Sequence, residues 1–157
     1  MGIATHLGPW LLGTNRYTTG TTAATTRNTG ATDVTQVKAV LFNDADASNA
    51  VVLPAGSLIA GISFITTTTF DAASTITLSL GGTAITGALT VTSPGVYSFV
   101  AAATEAGAAL WANTGTTDKF VTYTIAQGAS TAGAGTIVVN YVVRNADGTM
   151  YQSSSEV

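Results

Sequence analysis

From residue 33 onward, apolar and polar positions alternate with the two-residue period of half-buried strands. Val37, Ala39 and Leu41 alternate with Gln36, Lys38 and Val40, which predicts a half-buried strand. Asn43 to Asn49 is a polar turn cluster, followed by a short strand from Ala50 to Leu53. Pro54-Ala55-Gly56-Ser57 reads as a turn, with Pro fixing its φ and Gly free to take a positive one. Leu58 to Phe70 predicts a long strand with Ile62, Phe64 and Thr66 on one face. The clearest alternation sets Ile76, Leu78 and Leu80 against Thr75, Thr77 and Ser79. Gly81-Gly82 then predicts a hairpin turn into a strand from Ala84 to Thr92, and Ser93-Pro94-Gly95 a turn into Val96 to Val100.

Ala101 to Ala112 fits a short helix weakened by Gly107, and equally a loop pinned by Leu110 and Trp111. Val121, Tyr123 and Ile125 resume the strand pattern, and Gln127 to Gly135 is a Gly/Ala/Ser connection. Ile137, Val139, Tyr141 and Val143 alternate with Val138, Asn140, Val142 and Arg144 in a last long strand. Asn145 to Gly148 is a turn, and Met150 to Val157 a polar tail. The sum is about eight strands joined by short turns without a βαβ rhythm, an all-β antiparallel sandwich or barrel. The expected form is a jelly-roll-like β-sandwich over residues 33–157.

Residues 1–32 break the pattern. One apolar knot, Leu7-Gly8-Pro9-Trp10-Leu11-Leu12, sits in a run of Thr, Gly and Asn with neither helical nor strand period. Such a stretch buries too little of its own surface to offset the entropy of ordering it. It is expected to be an extended docking arm. Leu7, Pro9, Trp10, Leu11, Leu12, Arg16 and Tyr17 are the candidate partner-binding residues.

Composition sharpens this. Only 8% of the 157 residues are charged, against roughly 25% in an average globular protein. A free monomer normally carries more charge for solubility, so shared surface is expected. The net charge is −3 and the 5 basic residues form no run, which argues against nucleic acid as a partner. There is no cysteine, hence no disulfide framework and no thiolate chemistry. No apolar run is long enough for a membrane helix. The start lacks the charged and apolar regions of a secretory signal.

Candidate chemistry is thin. His6 is the only histidine and lies in the arm. Glutamate occurs only at Glu105 and Glu156, so no facing carboxylate pair is selected. Asp71, Asp118 and Asp147 sit in turn-like contexts, where Asp commonly bonds its own backbone. Asp44-Ala45-Asp46-Ala47-Ser48 has the start of a calcium loop, but Asn49 and Ala55 stand where Gly and Glu are required. The glycines lack the frame of a phosphate loop. Trp111 is the best aromatic for stacking a sugar, although core packing is the commoner role of a sandwich aromatic. No enzyme, cofactor or metal is expected.

The opening Gly2-Ile3-Ala4-Thr5-His6-Leu7-Gly8-Pro9-Trp10-Leu11-Leu12-Gly13-Thr14 resembles the start of virion structural proteins of tailed phages, notably phages of cyanobacteria. Thr29-Gly30-Ala31-Thr32, Val52 to Ile59, Thr67-Thr68-Thr69-Phe70 and Ser79-Leu80-Gly81-Gly82 continue the likeness. The resemblance implies a capsid decoration or cement protein, made in the host cytoplasm and bound to the outer surface of the assembled head. Its implied partners are the major capsid protein and itself, as a homotrimer. The alternatives are a tail, vertex or fibre-like component, or a carbohydrate-binding module on the virion. Composition alone stops at a β-rich assembly subunit.

Overall fold

The computed structural model describes residues 32–127 and 129–144. Arm residues 1–31, the turn after Arg144 and the polar tail lie outside them, and Thr32, expected in the arm, is the first residue of a strand. The described residues form nine strands and one helix. In chain order they are β1 (Thr32–Leu41), β2 (Ser48–Leu53), β3 (Leu58–Thr68), β4 (Ser74–Leu80), β5 (Thr83–Ala84), β6 (Leu89–Val91), β7 (Gly95–Ser98), α1 (Glu105–Ala112), β8 (Lys119–Ala126) and β9 (Ala134–Val143).

The pairing is nested. β1 pairs with β9, β2 with β8, β3 with β7, and β4 with β5 and β6, all antiparallel. This is a long two-stranded ribbon folded over on itself. Two further ladders, β3 with β9 and β4 with β8, close the ribbon into sheets. One sheet runs β1-β9-β3-β7, and the other runs β2-β8-β4-β5 with β6 also on β4. The arrangement is a jelly roll, as the alternating pattern predicted. Between the sheets lie Leu53, Phe64, Ile76, Leu78, Tyr123 and Ile137, each almost wholly buried.

Strand β1 corrects the sequence reading. Its exposed positions are Asp33, Thr35, Val37, Ala39 and Leu41, and the even-numbered residues from Val34 onward turn inward. Val40 is buried, and Val34 and Phe42 pack against the core. Gln36 is accommodated on that side because its amide donates to the Tyr141 hydroxyl and to the Val52 carbonyl. A strand's two faces differ by a single residue of register, so three apolar residues on each side leave the local pattern ambiguous.

The strand expected from Ala84 to Thr92 is broken into β5 and β6. Its middle leaves the ladder to reach another partner: Thr86 bridges Ala101, and the Gly87 amide donates to the Val100 carbonyl. The Thr86 hydroxyl fills part of the gap by accepting from the Leu78 amide, 3.0 Å away. Gly81 and Gly82 make the two-residue turn between β4 and β5, both with positive φ (57° and 85°). That is the turn which matches the twist of a hairpin.

Of the two readings of residues 101–112, the helix is correct from Glu105. Thr104 caps it by accepting from the Gly107 amide, and Glu105 places an acid in its first turn. Gly107 does more than weaken the helix. It is the buried residue of α1, and a Cβ there would lie 2.4 Å from the Ala84 carbonyl oxygen and 2.7 Å from the Ala102 Cβ. The absent side chain is what lets the helix lie on β5.

Gly107→Ala therefore sets two effects against each other. Alanine favours an exposed helix interior by ~1 kcal/mol, whereas overpacking against fixed backbone costs roughly 1–3 kcal/mol. The second dominates, because the nearest obstacle is a main-chain carbonyl. The variant is expected to melt below wild type in a thermal or urea titration; an equal or higher midpoint would contradict this close packing.

Candidate interaction surface

Residues directly opposite each other in a ladder point to the same side. The register therefore places Val37, Val138, Ser63 and Ser98 in one row on the outer side of the four-stranded sheet. The next row is Ala39, Thr136, Ile65 and Val96. Leu41, Ala134 and Thr68 follow in one direction, and Thr35, Asn140 and Gly61 in the other. Thr35 donates to the Asn140 side chain within this face.

This outer face is apolar where it is most exposed. Val37 is 63% exposed, Leu41 53%, Ile65 38% and Val96 72%. Among the described residues it carries one charge, Asp33, in its end row opposite Val142. The other sheet is different. Its outer side shows hydroxyls, with Thr77 opposite Thr124 and Ser79 opposite Thr122, and one apolar corner where Val52 faces Phe120.

Three of the acidic groups are engaged at the ends of the sandwich. Asp44 accepts from the Leu41 amide and, at 2.6 Å, from the Tyr123 hydroxyl. Burial, with Asp44 alongside, pushes the Tyr123 hydroxyl up to about 12. Asp118 accepts from the Ala55 amide, and Asp71 from the Thr131 hydroxyl and amide and the Ala132 amide. Asp71 is also bonded by its own backbone, as expected of a turn aspartate, and beyond that expectation both Asp71 and Asp118 tie their loop to one about sixty positions away. Among the described residues no group of three or more His, Cys, Asp or Glu is placed to hold a metal.

Trp111 lies on α1, half-buried against the core, and its indole N–H donates to the Ile85 carbonyl at 2.6 Å. Packing is thus its structural role here. Leu7, Pro9, Trp10, Leu11, Leu12, Arg16 and Tyr17 lie outside the described residues, as does His6. The sheet face was missed by the sequence reading. The available signal was β9, where Ile137-Val138-Val139 and Val142-Val143 are apolar on both sides. A strand of that kind belongs where both faces are covered.

No protein-family model matches the chain, and no curated protein matches it. Among solved structures it is similar to a chain of "Acidic stable capsid structure of Helicobacter pylori bacteriophage KHP30". The identity is 14%, the match covers 71% of this chain and 87% of that one, and the TM-score is 0.49.

Asp71 gives a measurable signature of the loop ties. The Thr131 hydroxyl and amide hold its carboxyl down, from 3.8 to about 2. A folded-state value below the unfolded one makes the contribution complete above the unfolded value and lost as pH falls through the folded one. Asp71→Asn is therefore expected to melt below wild type at pH 7, with the gap closing between pH 4 and pH 2. A gap that is constant across that window would show that ionisation of Asp71 is not what ties the loops.

Proposed function

We propose that this chain is a structural protein of a tailed-phage virion, and more finely a capsid decoration or cement protein on the outer surface of the head. The observation that carries the assembly role is the nearly charge-free, partly apolar outer face of the four-stranded sheet. Four large apolar side chains on one flat face of a protein this poor in charge favour a surface made to be covered. The likeness of residues 2–14 and of the later segments to virion proteins, notably of cyanobacterial phages, supports the choice of assembly.

In this reading the chain is not an enzyme and works by mass action. A protein that binds only the assembled shell stabilises that shell, and many copies engaging several subunits add avidity. Its partners are the major capsid protein, met through the arm, and further copies of itself, as a trimer at local three-fold positions. Copy number per particle separates this from a tail, vertex or fibre-like role: hundreds fit decoration, and a dozen fits a vertex.

The arm supplies the test. Deleting Met1 to Thr26 is expected to leave a soluble β-rich domain and to abolish loading onto shells. Trp10→Ala is expected to weaken loading by ~2 kcal/mol, the usual effect of truncating a buried aromatic anchor. Wild-type occupancy of either variant, measured with limiting protein on stripped particles, would exclude the arm as the docking element.

A further inference from the structure

We infer that the outer face of the β1-β9-β3-β7 sheet is a self-association surface whose occupant is the same face of a second copy. The inference is a two-fold contact, distinct from the three-fold self-association named above, because like faces pair only two copies. It rests on the composition and register of this face alone, and stands whether or not the virion reading does.

Three observations select a second copy over another partner. The first is charge. The whole chain is net negative (−3), so two copies repel unless they meet where charge is absent. This face meets that condition, with Asp33 confined to an end row. A partner recognised through its own charges would need complementary groups here, and the described face offers none beyond Asp33. The second is chemistry. Val37 is separated from the directly opposed pair Ile65 and Val96 by Thr136 and Ser63, short side chains that leave a low surface for a second sheet to approach. Sheets stack face to face at ~10 Å through such side chains.

The third is size. β1 and β9 are each 10 residues long, β3 is 11 and β7 is 4. At ~4.8 Å between strands and ~3.3 Å per residue the face projects to roughly 550 Å². Two such faces cover roughly 1,100 Å² in all, the size of a weak, concentration-dependent association and above the ~1,000 Å² expected of a specific one. A pairing of like faces is isologous, so each favourable contact occurs twice.

The test uses the full chain, with light scattering coupled to size exclusion over a hundredfold range of concentration. Wild type is expected to elute as a dimer. Val37→Lys and Val96→Lys each place a cation where a second copy approaches, on exposed strand positions that leave the core untouched. Each is expected to weaken association at least tenfold while leaving the circular dichroism and melting midpoint near wild type. Phe120→Lys, on the outer side of the other sheet, is the control and is expected to leave association unchanged. A wild-type monomer or trimer at every concentration overturns the inference, as does unaltered association in both folded face variants. Dissociation by Phe120→Lys alone also overturns it and assigns self-association to the opposite sheet. Shell loading by the Lys variants is scored separately: a variant that no longer dimerises yet loads fully supports this inference and shows that loading does not need the two-fold contact.

Discussion

The pairing of β9 between β1 and β3 is the constraint on which the remaining structure depends. It joins the first strand to the last, so the four-stranded sheet is incomplete until the chain has reached Val143. Such long-range pairing is entropically expensive to form and is cooperative once formed. It also fixes which side chains face the core. A slip of one residue along β9 would turn Ile137, Val139 and Tyr141 outward and bring Val138, Asn140 and Val142 inside. Three features oppose that slip. Tyr141 is tied to Gln36. Gly135 leaves the space that the Phe64 ring fills. Irregularities between Ile59 and Gly61, and between Thr66 and Thr68, set the phase of β3 against β9.

The ends of the sandwich are held differently from its centre. At one end, Arg144 donates to the Gly56 and Ala112 carbonyls, so one side chain ties β9 to the β2–β3 turn and to the last carbonyls of α1. A cation at a helix C-terminus also suits the helix dipole. Thr114 reinforces that turn by donating to the Pro54 carbonyl. At the other end, Asp71 and Ser130 tie the β3–β4 and β8–β9 connections together. Among the described residues, Asp44, Asp71, Asp118 and Arg144 thus serve backbone groups that need partners. That placement explains how so few charged residues leave both sheet faces nearly free of them.

Much of this fold was legible in the sequence. Alternation placed Ile76, Leu78 and Leu80 inside correctly, and Ile62, Phe64 and Thr66, because their outward neighbours on those strands are mostly polar or small. Gly81-Gly82 was legible because two positive φ values leave few other residues available. Two features were not. The break at Thr86 depends on Ala101 and Val100, fifteen and fourteen positions away, which no local pattern encodes. The inward face of β1 depends on Tyr141 and Val52 accepting from Gln36, a tertiary arrangement that overrides the local count of apolar residues. The candidate surface was hidden by the same ambiguity. Reading Val37, Ala39 and Leu41 as core removed from view the residues that make the outer face apolar.

The two unread features differ in what they cost. At Thr86 the departure from the ladder is compensated within the fold, because the freed groups find Leu78, Val100 and Ala101. On β1 the compensation is one-sided. Gln36 is satisfied inside, but Val37 and Leu41 remain more than half exposed, with Ile65 and Val96 beside them on the sheet. Burying a side chain of this kind completely contributes about 1.5–3 kcal/mol relative to leaving it in water. A sequence in which local preference and global fold otherwise agree keeps such a conflict chiefly where the exposed groups serve another purpose. An isologous contact resolves it on both copies at once, and does so without altering the inward face that Tyr141 and Gln36 hold in place. The same register that secures the core therefore also determines the face presented for assembly.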